Sequence, residues 1–275
     1  MLTDTLQILN KHHIKLDKRK GQNYLIRQNI LLKILNFAEL SPDDVVLEIG
    51  PGIGTLTIPL AIKVNRVIAV EQDQKIASVL KKRLKQSGIT NVEVIVADAA
   101  KIDFKDFNKV VSNLPYQISS PITFKLLKYD FDLAVLMYQL EFAKRMVAEP
   151  GDSNYSRLSL MLHYCADVEL LFNVPPEDFY PQPKISSAVV KLNPNKKVEI
   201  NQNLINVSRA LFQHKRKKTR NALLDSFHEI ADLDKNNVKE IVEKLDQNLM
   251  DKRVLKLNPD EVLSISRKLK YLIVN

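Results

Sequence analysis

The 275-residue sequence has no tryptophan, one cysteine and six glycines. No apolar run approaches the ~18 residues that a membrane-spanning helix needs. Cys165 by itself can form neither an intramolecular disulfide nor a cysteine-rich zinc site, so thioredoxin-type and zinc chemistry are excluded. The five histidines (His12, His13, His163, His214, His228) show no metal-ligand spacing, and no metal is expected. The first residues, MLTDTLQILNKHHIKL, lack the apolar stretch of a secretory signal, so the expectation is a cytoplasmic chain with no membrane partner. What is abundant is apolar residues, at 45%, enough at this length for one large domain or a large and a smaller one. Charge is also abundant and uneven: 41 Lys and Arg against 32 Asp and Glu give a net +9. That balance favours a polyanionic partner, because Lys and Arg neutralise phosphates and release their counterions. A basic surface on an unrelated enzyme would give the same number.

From residue 44 to 138, short Val- and Ile-rich runs alternate with helix-like stretches: DVVLEIG, RVIAVE, VEVIVAD, KVVSN and DLAVLMY. This alternation is that of a parallel sheet with crossover helices. DVELLFNV (167–174) and SAVVKLN (187–193) read as further strands on one edge, and Gln28 to Leu40 as a helix ahead of the first strand. KLNPNKKVEINQN then breaks the pattern with Pro194, three Lys and four Asn. Beyond it apolar residues recur at helical spacing in 203–214, 219–230, 236–245 and 260–273. The expected fold is α/β, a Rossmann-like sheet domain over 1–195 followed by a small all-helical domain over 196–275.

The first strand runs into a glycine turn, Gly50-Pro51-Gly52-Ile53-Gly54, which permits close approach of a ligand to the backbone. Its G-x-G-x-G spacing lacks the third glycine of the dinucleotide fingerprint and the G-K-[ST] ending of a P-loop. Acidic residues instead close successive strands: Glu48 near the end of the first, Glu71 after the second, Asp98 after the third. Ligands of open α/β sheets lie outside the carboxyl ends of the strands, so these carboxylates converge on one crevice. Such a crevice repels pyrophosphate and suits a ligand carrying ribose hydroxyls, an adenine amine and a positive charge, the combination found in S-adenosylmethionine. Glu71 then accepts from the ribose, Asp98 from the adenine amine, and the Gly50 turn lies against the methionine end. Solvated strand-end acids, or a Glu71 that serves NAD, are the competing readings.

Asn113-Leu114-Pro115-Tyr116 follows the fourth of these runs. The exocyclic amine of an aromatic base is a poor nucleophile because its lone pair is delocalised into the ring. Acceptors that draw out its protons localise that lone pair, and the Asn113 side-chain oxygen with the Leu114 carbonyl, held by Pro115, can do so. Tyr116 offers a ring face, rather than its hydroxyl, for an extruded base to stack on. No side-chain nucleophile is needed. Cys165, in the apolar stretch LSLMLHYCADVEL, reads as a core thiol.

Taken together these motifs closely resemble the small-subunit ribosomal RNA adenine dimethyltransferases. The match includes Gly21-Gln22-Asn23-Tyr24-Leu25, E-I-G-P-G-I-G-T-L-T at 48–57, Val70-Glu71-Gln72-Asp73, Ala97-Asp98-Ala99 and Asn113 to Tyr116. It continues through Q-L-E-F-A-K-R-M at 139–146, the F-x-P-x-P-x-I-x-S run from Phe179 to Ser187, and L-F-Q-H-K-R-K-K-T-R-N-A-L at 211–223. Leu140 stands where family members usually carry Lys. F-Q-H-K-R-K, and the Q-I-S-S-P after Tyr116, resemble the archaeal and eukaryotic branch. The resemblance implies cofactor contacts at Gln22, Asn23, Leu25, Gly50, Gly52, Glu71, Asp98 and Asn113, with S-adenosyl-L-methionine as cofactor. It also implies a target base held by Tyr116 and Phe179, beside Asn113, Leu114 and Pro115.

The densest basic cluster is Lys215, Arg216, Lys217 and Lys218 with Arg220, expected to bind RNA phosphates, a solvated helix junction being the alternative. Lys18-Arg19-Lys20 abuts the cofactor segment, and Lys81, Lys82, Arg83 and Lys85 read as cations favourable at a helix C-terminus. The expected protein is a monomer that dimethylates adenines, two neighbouring ones as the resemblance implies, in a small-subunit rRNA loop within a ribosomal precursor. A large-subunit rRNA adenine methylase of the antibiotic-resistance type and a non-catalytic RNA-binding assembly or transcription factor are the alternatives.

Overall fold

The computed structural model describes residues 1–14, 16 and 22–274. Lys18-Arg19-Lys20 and Gly21, to which the sequence pattern gives roles, lie outside the described residues. The chain divides into two compact units, Met1–Ala143 with Val168–Pro194, and Lys144–Asp167 with Asn195–Asn275. The later segment of the second unit starts at Asn195, and its helices start at Gln202. The unit also takes in 144–167, which the sequence pattern assigns to the sheet domain.

The first unit opens with helix α1 (Leu2–Lys11), the two-residue strand β1 (Tyr24–Leu25) and helix α2 (Gln28–Phe37). Strand β2 (Val45–Ile49), helix α3 (Thr57–Ala61), β3 (Arg66–Glu71), α4 (Gln74–Gln86), β4 (Val92–Val96) and β5 (Lys109–Asn113) follow. Then come α5 (Ser119–Leu126), β6 (Leu133–Gln139) and α6 (Leu140–Met146). After helix α7 (Arg157–Cys165), β7 (Ala166–Val174), β8 (Phe179–Tyr180) and β9 (Ser187–Pro194) complete the strands. Seven strands form one sheet in the order β4-β3-β2-β5-β6-β9-β7, and β1 pairs with β8 in a separate ribbon. Neighbours among β2 to β6 run parallel, and β9 is antiparallel to β6.

Burial explains the strand compositions. Central β2, β3, β5 and β6 are covered on both faces and read as nearly continuous apolar runs, whereas edge strand β4, VEVIV, is half solvated and admits Glu93. Helix α2 presents Ile30, Leu31, Ile34 and Leu35 to the core, where they meet Val46, Val67, Val111 and Val135. Asp73 caps α4 by accepting from the Lys75 and Ile76 amides. From β2 the chain builds outward through β3 to β4, then returns to place β5 on the other side of β2. That reversal opens a crevice at the carboxyl ends of β2 and β5.

The second unit contains α7 and the helices α8 (Gln202–Gln213), α9 (Thr219–Ser226), α10 (Lys235–Glu243), α11 (Gln247–Asp251) and α12 (Pro259–Val274). Its core comprises Leu204, Val207, Leu211, Leu223, Val262, Ile265 and Leu269. Asn203 ties α8 to α12 by donating to the Ser266 carbonyl and hydroxyl, both at 2.7 Å. Cys165 is buried, as its apolar stretch suggests, and burial raises its thiol pKa. Among the described residues no helix is long and apolar enough to cross a membrane.

Candidate active site

The glycine turn after β2 is compressed by two neighbours that themselves belong to the site. Gly50 has φ +73°, and a Cβ there would stand 3.0 Å from the Pro115 ring. Gly52 has φ +56°, and its Cβ would lie 2.5 Å from the Tyr24 ring. A side chain at either place would strain the backbone, and at Gly52 the Tyr24 ring would also have to shift. Arg83 donates to the Ile53 carbonyl and so props the turn from behind, a use more specific than the helix-end effect its position suggests.

Glu71, at the end of β3, accepts from the Gly52 amide at 3.1 Å and the Asp73 amide at 2.9 Å. These bonds aim its carboxylate while leaving lone pairs for a ligand. Burial raises its pKa, and the same two amides oppose the rise. Asp98 accepts from the Ala100 amide at 3.0 Å and pairs with Lys101 at 3.7 Å. Asn113, ending β5, donates its amide nitrogen to the Asn23 carbonyl at 3.0 Å. Because that carbonyl can only accept, the contact fixes which end of the amide faces it and leaves Oδ1 available as an acceptor.

All eight residues expected at the cofactor, Gln22, Asn23, Leu25, Gly50, Gly52, Glu71, Asp98 and Asn113, line a single crevice. Pro115 lines it too, with Gln117 and Ile118 of the short 3-10 helix Tyr116–Ile118. Leu114 and Tyr116 adjoin the crevice through the chain without lining it, and the Leu114 side chain is buried. Phe179 is placed differently from the expectation. Its ring is 2% exposed and packs in the hydrophobic core with Leu25 and Leu31, because β8 pairs Phe179 with Leu25 of β1. In this conformation it presents no face to a base.

Glu48 is one of the converging carboxylates, and the sequence motifs assign it no role. It lines the crevice at 2% exposure, and its Oε2 has no partner among the described residues. Burial pushes its pKa up to about 8, against the opposing effect of the Thr57 hydroxyl, and nearby Glu71 adds to the rise. The Tyr24 hydroxyl is likewise buried against the crevice, without a partner among the described residues. Burial, with Glu71 and Asp73 nearby, raises the phenol pKa. A single acid within the apolar run VVLEI is the sequence signal for Glu48. The two unpartnered oxygens and the aimed Glu71 carboxylate fit a ligand bearing an ammonium group and ribose hydroxyls.

The model of the family described as ribosomal RNA adenine dimethylase matches residues 13–268. The chain belongs to that family. It is 50% identical over 265 residues to the probable ribosomal RNA small subunit methyltransferase A of Methanosphaera stadtmanae, covering 96% of this chain and 97% of that one. It is 50% identical over 273 residues to the protein of the same name from Methanothermobacter thermautotrophicus, covering 99% and 97%. These relatives are archaeal, the branch resembled by F-Q-H-K-R-K and Q-I-S-S-P. Among solved structures the chain is similar to a dimethyladenosine transferase from Plasmodium falciparum, with a TM-score of 0.78, 32% identity and coverage of 90% of this chain and 98% of that one. It is also similar to the 23S rRNA methyltransferase ErmE, with a TM-score of 0.66, 27% identity and coverage of 90% and 99%. As in this family of methyltransferases, the cofactor is S-adenosylmethionine, which the crevice residues suit.

The basic junction of this family member lies in the second unit, and most of its cations are already engaged. Lys215 donates to the carbonyls of Ser153 at 2.9 Å and Tyr155 at 3.0 Å. Lys217 pairs with Asp225 at 2.6 Å, and Lys218 with Asp251 at 3.1 Å. Arg220 donates to Gln247 at 2.5 Å. Arg216 is exposed and pairs with no acid among the described residues. An antiparallel bridge between Lys218 and Arg253 brings in a second exposed cation that pairs with no acid among the described residues. It lies 35 positions away from Lys218, too far for the sequence to associate it with the basic run.

Proposed function

We propose that this S-adenosylmethionine-dependent rRNA adenine dimethyltransferase methylates twice the exocyclic amine of two adjacent adenosines in a loop near the 3' end of small-subunit rRNA. It does so as a cytoplasmic monomer acting on a precursor of the small ribosomal subunit. The observation carrying this reading is the Asn113 amide, held by the Asn23 carbonyl with Oδ1 available at the rim of the crevice that suits the cofactor.

S-adenosylmethionine, when bound, supplies an electrophilic methyl group. Glu71 takes the ribose hydroxyls on the carboxylate that Gly52 and Asp73 aim. Asp98 accepts from the cofactor's adenine amine, and Glu48 and Tyr24 offer their unpartnered oxygens to its polar end. On the substrate side, Asn113 Oδ1 and the Leu114 carbonyl accept the two amine protons, which turns the nitrogen lone pair out of conjugation and toward the methyl group. The methylated nitrogen then releases one proton to solvent, so a single N–H remains for the second transfer and one acceptor suffices. Tyr116 stacks on the extruded base and offsets the few kcal/mol, on the order of a broken stack, spent in extruding it. No side chain acts as a nucleophile; orientation supplies the catalysis.

Incubating the protein with methyl-labelled cofactor and separated ribosomal subunits, then mapping the modified nucleotides, tests the reading. Dimethyladenosines in small-subunit rRNA are expected. Label in large-subunit rRNA, as the likeness to ErmE would have it, or in neither subunit, would overturn it.

A further inference from the structure

The Tyr116 hydroxyl lies 2.5 Å from the Ser187 hydroxyl, a bond that joins positions 71 apart in the chain. The two ends of this bond differ in rigidity. Tyr116 opens a 3-10 helix of one turn, Tyr116–Ile118, and is only partly buried. A ring on so short an element has several rotamers open to it unless its far end is tied. Ser187 has no exposed surface, is the first residue of β9, and sits opposite Gln139 in the β6–β9 pairing. The adjoining Ser186 carbonyl accepts from the Leu140 amide at 3.0 Å, which ties this end of β9 to the start of α6. The ring is therefore held at its Cα by the loop after β5 and at its hydroxyl by the sheet.

We propose that Ser187 is a positioning residue for base capture: through the Tyr116 hydroxyl it holds the ring in the orientation on which the extruded adenine stacks. The proposal rests on the reading that Tyr116 stacks on the base, and it gives a function to a hydroxyl that stacking alone leaves idle. A ring ordered beforehand loses no rotamers when the base arrives, so the anchor improves capture without touching substrate. Burial holds the phenol pKa above its ordinary value, so the bond persists as a neutral hydroxyl pair across the working pH range. Phe179, buried in the core, does not duplicate this service.

Single-turnover methylation of small subunits, with calorimetric cofactor affinity beside it, tests the proposal in Ser187→Ala, Tyr116→Phe and the double variant. Each single variant should lower the rate at subsaturating subunit roughly three- to tenfold, the size of one net hydrogen bond. Cofactor affinity should not move. The double variant should be no slower than the slower single one, because both remove the same bond. A Ser187→Ala enzyme as fast as the original, or losses that multiply in the double variant, would overturn the proposal. Should Ser187→Ala lower the melting temperature, Tyr116→Phe breaks the same bond from its more exposed side and decides the matter alone. Tyr116→Ala separates this proposal from the reading beneath it. Full activity there removes the stacking role itself, whereas a large loss with Ser187→Ala unaffected removes only the anchor.

Discussion

Glu48 and Glu71 reach the crevice at 2% and 8% exposure, whereas the Lys217 and Lys218 side chains stand 50% and 57% exposed at the helical junction. In the sequence the acids stand singly at the ends of apolar runs, and the lysines stand in one dense basic run. In the fold the acids are desolvated, and one keeps an oxygen without a partner among the described residues. The lysines find acids in Asp225 and Asp251. An unmatched polar group in a buried place costs several kcal/mol, on the order of a lost hydrogen bond or more, and is tolerated where a ligand completes it. An exposed ion pair is worth about 0 to 1 kcal/mol and is readily exchanged for a phosphate. The crevice thus keeps desolvated acids aimed at one place, whereas the junction keeps exposed cations in weak pairs that a competing anion can open.

The largest expected effect is in the crevice. Asn113→Ala should slow single-turnover methyl transfer by roughly 10³-fold, a part of the ~7 to 11 kcal/mol that correct orientation can supply. Subunit affinity, measured by filter binding, should be nearly unchanged. A slowing below about tenfold would mean that the base amine is oriented by the backbone alone. Next comes Glu71→Ala, which removes two ligand acceptors and the acceptor of the Gly52 and Asp73 amides. Its calorimetric Kd for S-adenosylmethionine should rise roughly 10²-fold, from charge-assisted bonds worth about 1.5 to 3 kcal/mol each. An unchanged Kd in a folded variant would move the ribose away from β3.

How far this contrast is legible in the sequence depends on whether the signal is local. The central strands announce themselves because burial on both faces makes VVLEI, RVIAV and LAVLM apolar throughout, and the long helices do so through their period. The two-residue ribbon of β1 and β8 and five-residue α11 are too short to carry a period. Residues 144–167 belong with the second unit because of the core they pack in, which is a property of distant sequence. In the site, Gly50, Glu71, Asp98 and Asn113 converge because parallel strands end on one side. The Asn23–Asn113 bond joins positions 90 apart, and no local pattern marks it. The family motif assigns Phe179 to the base, while its pairing with Leu25 holds the ring in the core. The basic run is legible as charge, and its neutralisation by Asp225 and Asp251 is not, since neither acid adjoins it in sequence.

A smaller effect sharpens the crevice side of the comparison. The Glu48 carboxyl titrates at about 8 in the fold, above its ordinary 4.5. Below the lower value both folded and unfolded chains carry the proton. Between the two the unfolded chain has lost it and the folded chain keeps it, so the folded state binds more protons and stability falls as pH rises. This contribution is at most about 1.4 kcal/mol per pH unit. Thermal melts of the ligand-free protein should therefore decline from pH 5 toward pH 8, and Glu48→Gln should flatten that decline. Parallel profiles for the two proteins would show that Glu48 is ionised in the fold and that its unpartnered oxygen is solvated.

The smallest effect tests the junction. Lys215 is occupied by two carbonyls, and Lys217 and Lys218 each carry an acid that must be displaced before a phosphate can bind. Arg216 and Arg253 are exposed without such partners among the described residues, so they should make the cleaner phosphate contacts. Each full contact to single-stranded RNA contributes about −0.7 to the slope of log affinity against log salt. Replacing Arg216 and Arg253 by Ala should flatten the measured slope for small-subunit rRNA by nearly that amount each. Replacing Lys217 and Lys218 should flatten it by less, because each is already paired with an acid and so makes less than a full phosphate contact. Cofactor affinity should stay constant throughout. If the lysine pair proved to carry the larger share, their ion pairs would have to open on binding, and the junction would then be shaped for its ligand as narrowly as the crevice is. A slope untouched by either pair would place the RNA on another face of the protein.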